Sequence, residues 1–337
     1  DVCSSDLASM TKPVTVAAAM ALVEEGRLAL SDPVTRWLPE LADMRVLADP
    51  TGPLDVTVPA RRPITVDDLM THRSGMAYSF SVGGPIARAY AQVSLRQDQD
   101  QWLTEVAALP LVHQPGERLT YSHATEVLGI LLSRIEGSSL QTVLAERILE
   151  PLGMSDTGFF ISADNRNRAA TMYRLDAQNG LQHDVMGPIP VKEPRFCQGG
   201  ASLVSTADDY LKFARMMLGR GEVDGVRLVK PETIDLMMQN RLTEARLPPL
   251  RPFLTWCRIL VAAGLLDEPG HTLDSVAAQL DFHEAANLRM TLRRYTGTNI
   301  THLRARGAFV QALRAFREEI DRRPYVDASL PQSSQAD

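Results

Sequence analysis

Lysine and arginine are distributed unevenly along this chain, and their distribution divides it into two parts. Of the 337 residues only four are lysines, at positions 12, 192, 212 and 230. Residues 246–323 instead contain twelve arginines against eight acidic residues, although the whole chain has a formal net charge of −6. A proline-rich stretch, LPPLRP at 247–252, lies where the composition changes. We therefore predict two domains, an acidic one over 1–245 and a basic one over 250–323.

The overall composition is typical of a globular protein. Hydrophobic residues make up 45% and charged residues 23% of the chain, which excludes collagen-like and largely disordered proteins. Only the polar residues 324–337 are predicted to form a disordered tail. The three cysteines, Cys3, Cys197 and Cys257, cannot all pair and lack metal-ligand spacing, so we expect a reducing, cytoplasmic location. No apolar stretch reaches the ~18 residues of a membrane span. We also expect no metal or organic cofactor.

Ser9 and Lys12 form a Ser-x-x-Lys motif at the start of a predicted helix, which runs from Thr11 to Arg27. Three residues are just under one helical turn, so the two side chains project from the same face and can touch. A serine hydroxyl becomes a good nucleophile when a base takes its proton, and a lysine can do so where its surroundings favour the neutral amine. The same spacing also occurs by chance, as a helix-capping serine followed by a solvated lysine.

Tyr121, which follows a Pro115-Gly116 turn, is the next candidate. A phenol near an ammonium group can relay a proton, so a tyrosine brought to Ser9 and Lys12 would complete a set of nucleophile, base and acid. The alternative is a packed aromatic side chain with a hydrogen-bonded hydroxyl.

Five segments, in order, carry a resemblance to a known family. They are SMTKPVTVAAAMALVEEGRLALSDPV from residue 9, LMTHRSGM at 69–76, PGERLTYSHATEVLG at 115–129, ILEPLGMSDTGF at 148–159 and GGASLVSTADDYLKFARMML at 199–218. Over residues 8–240 the chain resembles the serine β-lactamase-like hydrolases, most of all the class C related esterases and penicillin-binding-protein-like carboxylesterases. The resemblance implies that Ser9 is the acylated nucleophile, that Lys12 deprotonates or orients it and that Tyr121 shuttles the Ser9 proton to the leaving group.

Two departures from this family bear on activity. His123 stands where many members have asparagine, at a position that the resemblance assigns to substrate binding, and the change favours esters over β-lactams. The third motif of the family, which lies on an edge strand and completes the oxyanion hole, is not found. The start, DVCSSDL, also lacks a methionine. We therefore expect a mainly α fold, the helical part of a β-lactamase-like fold with little sheet (an α+β remnant), incomplete at both ends and impaired or inactive.

The basic part resembles the AraC-type DNA-binding domain over residues 250–320, in the pattern VAAQLDF followed by ANLRMTLRRYTGTNITHLR. The resemblance implies an all-α helix-turn-helix domain whose second helix enters the DNA major groove. The arginines expected to contact DNA are Arg289, Arg293, Arg294 and Arg304. Asp281 and Ile300 stand where that family usually has glycine and proline. The alternative is a helical bundle with a solvated arginine face.

These observations leave three hypotheses for function. The first is a serine hydrolase that cleaves a small-molecule carboxylic ester or related acyl compound through an acyl-serine intermediate. The second is a transcription regulator that binds duplex DNA and carries a hydrolase-like N-terminal region. The third is a chimera of two unrelated fragments. It is suggested by the abrupt change of family resemblance at 245–252 and by the unusual N-terminal sequence DVCSSDL.

Overall fold

A computed structural model describes residues 4–171, 173–176, 180–183, 189–239, 250–280, 282 and 284–322 of the chain. The chain divides into two compact units, Asp1–Ala245 and Arg246–Asp337. The predicted tail at 324–337 and the turn residue Asp281 lie outside the described residues.

The first unit is built mainly from helices with short strands between them. The α-helices are α1 (Thr11–Glu24), α2 (Val66–Met70), α3 (Gly84–Gln92), α4 (Gln99–Ala107), α5 (Ala124–Glu136), α6 (Leu140–Leu144), α7 (Ala207–Leu218) and α8 (Pro231–Met237). The strands are β1 (Ser5–Asp6), β2 (Arg45–Leu47), β3 (Thr57–Pro59), β4 (Tyr173–Asp176), β5 (Gly180–His183), β6 (Val204–Ser205), β7 (Glu222–Val223) and β8 (Val226–Arg227). Short segments of 3-10 or π-helix lie at Ala8–Met10, Val34–Arg36, Pro39–Leu41, Ala145–Leu149 and Ala163–Arg168.

Helices α1 and α5 pack against each other at the centre of this unit. Helix α1 is rich in alanine and valine and is buried on most of its circumference, with Val14, Ala18 and Leu22 fully excluded from solvent. Helix α5 is buried from Ala124 through Ser133. Gly137 ends it in the left-handed conformation, at φ 67°. The helix predicted from Thr11 is confirmed and ends at Glu24.

The strands occur as four antiparallel pairs, β1 with β6, β2 with β3, β4 with β5 and β7 with β8. In the first pair Ser5 lies opposite Ser205 and Asp6 opposite Val204. Strand β6 is thus only two residues long. Its pairing brings the start of the chain to a segment that is remote in sequence, directly before the Ser-x-x-Lys motif.

The second unit is a group of packed helices. They are α9 (Leu250–Asp267), α10 (Leu273–Gln279), α11 (Ala285–Thr296), α12 (Ile300–Ala305) and α13 (Ala308–Arg322). Trp256, Ile259 and Leu288 are buried in its core. Thr272 caps α10 with a reciprocal hydrogen-bond pair to Ser275, and the end of α11 is marked by a left-handed glycine at 297.

The arginines expected to contact DNA lie on this unit in two different settings. Arg289, Arg293 and Arg294 are exposed on α11. Arg304 instead donates hydrogen bonds to the carbonyl of Leu266, at 3.1 Å, and to that of His271. An apolar stripe with arginines on its solvated side is what any amphipathic helix in a bundle presents, so this pattern is no evidence for a helix-turn-helix domain.

Within the described part of the chain no helix is long and apolar enough to cross a bilayer. The same residues contain no group of three or more His, Cys, Asp or Glu side chains placed to hold a metal ion. The expected cytoplasmic location stays a prediction.

Helix α2 begins with a capping box formed by Thr65 and Asp68. The Thr65 hydroxyl accepts a hydrogen bond from the Asp68 backbone N–H at 3.3 Å, and the Asp68 carboxylate accepts one from the Thr65 N–H at 2.9 Å. Arg62 binds both oxygens of the same carboxylate, at 2.5 and 2.9 Å. Asp68 is only 3% exposed, so this carboxylate joins the cap of α2 to the loop before it.

We predict that Asp68→Ala lowers the free energy of unfolding by about 2–3 kcal/mol, because it removes both the cap and a charged hydrogen-bond pair. Thermal and urea unfolding would measure the loss. Asp43→Ala, at an exposed position, is the matched control and should change stability by less than about 0.5 kcal/mol. Equal stability of Asp68→Ala and the parent chain would contradict this role.

Candidate active site

The structure brings Ser9, Lys12 and Tyr121 together. Ser9 Oγ lies 2.5 Å from Tyr121 Oη and 3.3 Å from Lys12 Nζ. Ser9 is exposed to solvent, in a single 3-10 turn that leads into α1. Ala8, just before it, adopts a left-handed conformation at φ 44° and donates its N–H to Asp6 Oδ1 at 2.6 Å. A non-glycine residue in this conformation is uncommon and is typical of functional turns.

Lys12 is largely buried, at 9% exposure, and its amine has three oxygen partners. Nζ lies 2.7 Å from the Gly200 carbonyl, 3.1 Å from Tyr78 Oη and 3.3 Å from Ser9 Oγ. It also lies 4.8 Å from the centre of the Tyr121 ring. Groups from four parts of the chain thus fix the position of the Lys12 amine.

The segment that carries Gly200 is fastened to α1 by two threonines. Thr15 donates its hydroxyl proton to the Gly199 carbonyl at 2.7 Å, and Thr11 Oγ1 accepts the Leu203 N–H at 3.2 Å. Gly199 also lies directly against α5, where a Cβ would overlap the Thr125 carbonyl. A glycine is therefore needed for the segment to come close enough to both helices.

His72 lies beside Tyr121, with 4.9 Å between the ring centres. Burial, together with the charge of Lys12, lowers the pKa of His72 to about 4. Its Nδ1 accepts the Ser122 backbone N–H at 3.3 Å, and its own carbonyl accepts the Thr120 N–H at 2.8 Å. His72 is therefore a neutral residue that shapes the turn carrying Tyr121.

His123 is buried, at 8% exposure, behind Tyr78 and Trp102. Burial and the charge of Lys12 lower the pKa of its imidazole to about 3. Among the described residues its Nδ1 has no hydrogen-bond partner. Its predicted role in substrate binding stays a prediction.

Two site residues, Tyr78 and Glu126, were missed by the sequence analysis. Tyr78 donates its hydroxyl proton to Glu126 Oε1 at 2.7 Å and receives a hydrogen bond from Lys12. Burial raises the pKa of the Glu126 carboxyl, although Lys12 opposes the shift. The signal that could have found Glu126 is an acidic residue on α5, a helix whose neighbouring positions are apolar.

Together these residues can perform acyl transfer. An exposed hydroxyl lies within reach of both an amine that can accept its proton and a phenol that can relay it. The α1 N-terminus lies beside the hydroxyl, where its dipole favours the negative charge that develops on an attacked carbonyl oxygen.

Curated relatives match a large part of the chain. Protein Rv1367c of Mycobacterium tuberculosis is 61% identical over 238 residues, which cover 71% of this chain and 59% of that protein. Esterase EstB of Burkholderia gladioli is 34% identical over 226 residues, covering 61% and 55%. Lovastatin esterase of Penicillium rubens is 33% identical over 247 residues, covering 70% and 59%. The chain thus spans less than two thirds of the length of each relative.

Solved structures with the β-lactamase fold also match this chain. Simvastatin synthase (LovD) from Aspergillus terreus has a TM-score of 0.58 at 28% identity, covering 78% of this chain and 63% of that one. EstCE1, described as a hydrolase with promiscuous acyltransferase activity, has a TM-score of 0.57 at 27% identity, covering 71% and 64%.

These structures correct the predicted fold class, a mainly α remnant followed by an all-α helix-turn-helix domain. The fold is that of the β-lactamases, and neither a separate helix-turn-helix domain nor DNA binding is supported. The physical reason is that helical periodicity is visible in sequence, whereas a two-residue strand such as β1, paired with a distant segment, leaves no pattern.

The sequence profile of the Beta-lactamase family matches residues 5–253. This range includes Ser9, Lys12 and Tyr121 and covers most of the chain. On these grounds the chain belongs to the Beta-lactamase family.

Proposed function

We propose that this chain is a serine hydrolase of the esterase type, which cleaves a carboxylic ester or related small acyl compound through an acyl-Ser9 intermediate. The observation that carries the proposal is the contact of one exposed hydroxyl, Ser9 Oγ, with both Lys12 Nζ and Tyr121 Oη. The names of two relatives, Esterase EstB and Lovastatin esterase, support the ester as substrate class.

In the proposed reaction neutral Lys12 accepts the Ser9 proton as Ser9 Oγ attacks the carbonyl carbon. The negative charge on the carbonyl oxygen develops near the α1 N-terminus. Tyr121 gives its proton to the departing alcohol oxygen and regains one from Lys12, so the acyl group remains on Ser9. Water then takes the place of the alcohol, and the same proton transfers in reverse release the acid. The expected weakening of activity by the missing third motif stays a prediction.

Transfer of the acyl group to an alcohol is the second candidate reaction. The relatives described as simvastatin synthase and as a hydrolase with acyltransferase activity favour it. The exposure of Ser9 leaves room for an acceptor other than water. Adding an alcohol to the hydrolysis assay separates the two reactions, because transfer yields a new ester in place of the free acid.

We predict that Ser9→Ala abolishes both the hydrolysis of p-nitrophenyl butyrate and labelling by a fluorophosphonate probe, because no acyl intermediate can form. Ser162→Ala, at an exposed serine, is the matched control and should behave like the parent chain. The assay reads released nitrophenol, and the label is read by intact-mass spectrometry. Turnover or labelling that is equal in Ser9→Ala and the parent would refute the hydrolase proposal.

We predict that Tyr121→Phe slows esters with poor leaving groups more than activated ones. The loss of a positioned acid costs about 10²–10⁴-fold where the alcohol must be protonated as it departs. A nitrophenolate needs little such help. The comparison is kcat/KM for ethyl butyrate against p-nitrophenyl butyrate. An equal loss for both esters would show that Tyr121 does not protonate the leaving group.

We predict that the rate has no histidine-dependent limb between pH 5 and 8. The pKa values of His72 and His123 are lowered to about 4 and about 3, so both imidazoles are neutral across this range. A pH profile of kcat/KM for the parent chain and His72→Asn provides the measurement. A limb near pH 6.5 in the parent that disappears in His72→Asn would contradict the assignment of Lys12 as the base.

A further inference from the structure

Glu126 is a buried carboxyl group that the proposed acyl transfer does not use. It is 1% exposed on α5, and its Oε1 accepts the Tyr78 hydroxyl proton at 2.7 Å. Among the described residues its Oε2 has no hydrogen-bond partner. Burial of a half-satisfied carboxyl group lowers stability. The loss of stability caused by burying Glu126 indicates that this residue has a role in the site.

Hydrogen-bond counting fixes which neighbours of the Lys12 amine can only accept. Tyr78 Oη carries one proton, which goes to Glu126, so toward Lys12 Nζ at 3.1 Å this oxygen can only accept. The Gly200 carbonyl, 2.7 Å from Nζ, can also only accept. Two positions of the amine are thereby committed as donors. The remaining position faces Ser9 Oγ, at 3.3 Å.

We propose that Glu126 is a positioning residue which, by holding the Tyr78 hydroxyl proton away from Lys12, directs the lone pair of the neutral amine at Ser9. This inference rests on the proposed function. Without Glu126 the Tyr78 hydroxyl would turn and donate its proton to the amine. The lone pair would then be occupied, and Ser9 would lose its base. No covalent bond forms or breaks in this step.

The surroundings of Glu126 keep the carboxyl group in place. A Cβ at position 200 would overlap it, so the glycine makes room for the carboxyl group against the main chain. Burial and the neighbouring Glu126 raise the pKa of Tyr78, so its hydroxyl keeps the proton that the argument needs. The ionisable groups facing Glu126 are Lys12 from α1, Tyr78 from the loop before α3 and neutral His123, whose Nδ1 lies 3.9 Å from Oε1.

The kinetic test uses four chains, the parent, Glu126→Leu, Tyr78→Phe and the double variant. With p-nitrophenyl butyrate we expect Glu126→Leu to lower the plateau value of kcat by about 10–100-fold, since the base is misdirected, while KM changes less than about twofold. In the Tyr78→Phe background, Glu126→Leu should cause no further loss, because the hydroxyl that it controls is gone. Glu126→Gln, which keeps an acceptor oxygen, should remain within about threefold of the parent.

Three kinetic outcomes would overturn the proposal. The first is a parent-like kcat in Glu126→Leu, and the second is a loss that adds in full to that of Tyr78→Phe. The third is an unchanged plateau with an acid limb moved to lower pH, which would assign Glu126 a role through charge alone. If Glu126→Leu does not fold, Glu126→Met, which also lacks an acceptor oxygen, takes its place in the same comparison, and a parent-like kcat in that variant decides against the proposal. Glu146→Leu, at an exposed position outside the site, is the control.

A second measurement does not need turnover, so it separates this inference from the proposed function. The chain has only four lysines, so the carbon-13 NMR signals of labelled lysine side chains are few, and Lys12→Arg identifies that of Lys12. In Glu126→Leu we expect the titration midpoint of Lys12 to fall by about one pH unit, because Tyr78 then donates to the neutral amine. Loss of the carboxylate charge alone would also lower the midpoint, so the comparison is Glu126→Gln, which removes the same charge but keeps an acceptor oxygen and should lower it less. An unchanged Lys12 midpoint in Glu126→Leu would contradict this inference. An inactive parent chain that still shows the expected shift would contradict only the hydrolase proposal.

Discussion

The burial of one lysine amine organises the N-terminal unit. An amine removed from water is unfavourable unless other polar groups replace its hydration. For Lys12 these groups are the Ser9 hydroxyl, the Tyr78 hydroxyl and the Gly200 carbonyl. Only the serine is close in sequence. The fold around α1 must therefore bring a loop and a remote glycine segment to one point, and the nucleophile is placed by the same contacts.

The remote segment reaches Lys12 because small residues allow a close approach. Gly199 lies against the Thr125 carbonyl of α5, and Gly200 lies against the Glu126 carboxyl group. Thr11 and Thr15 then tie the same segment to α1. Larger side chains would keep the segment away from both helices. The Lys12 amine would then lose the carbonyl that is its nearest oxygen partner.

Local sequence signals predicted the local structure well. The helix from Thr11 and the turn that brings Ser9 next to Lys12 depend on residues within a few positions of one another. The family resemblance added Tyr121, which no local pattern links to Ser9. The short strands were underestimated, because a strand such as β1 is defined by its partner and not by its own alternation of side chains. The arginine pattern of the second unit does not identify a DNA-binding domain, because amphipathic helices in many folds share it.

By itself, the sequence determined the helices, their caps and the pairing of a serine with a lysine one turn away, because these depend on backbone geometry and on neighbours along the chain. Only the tertiary structure decided what surrounds that lysine. Tyr78 and Glu126 are ordinary residues in the sequence, separated from Lys12 by a loop and several helices. They become a hydrogen-bonded chain ending at the amine because packing of α1 against α5 excludes water. The polar groups left inside must then satisfy one another.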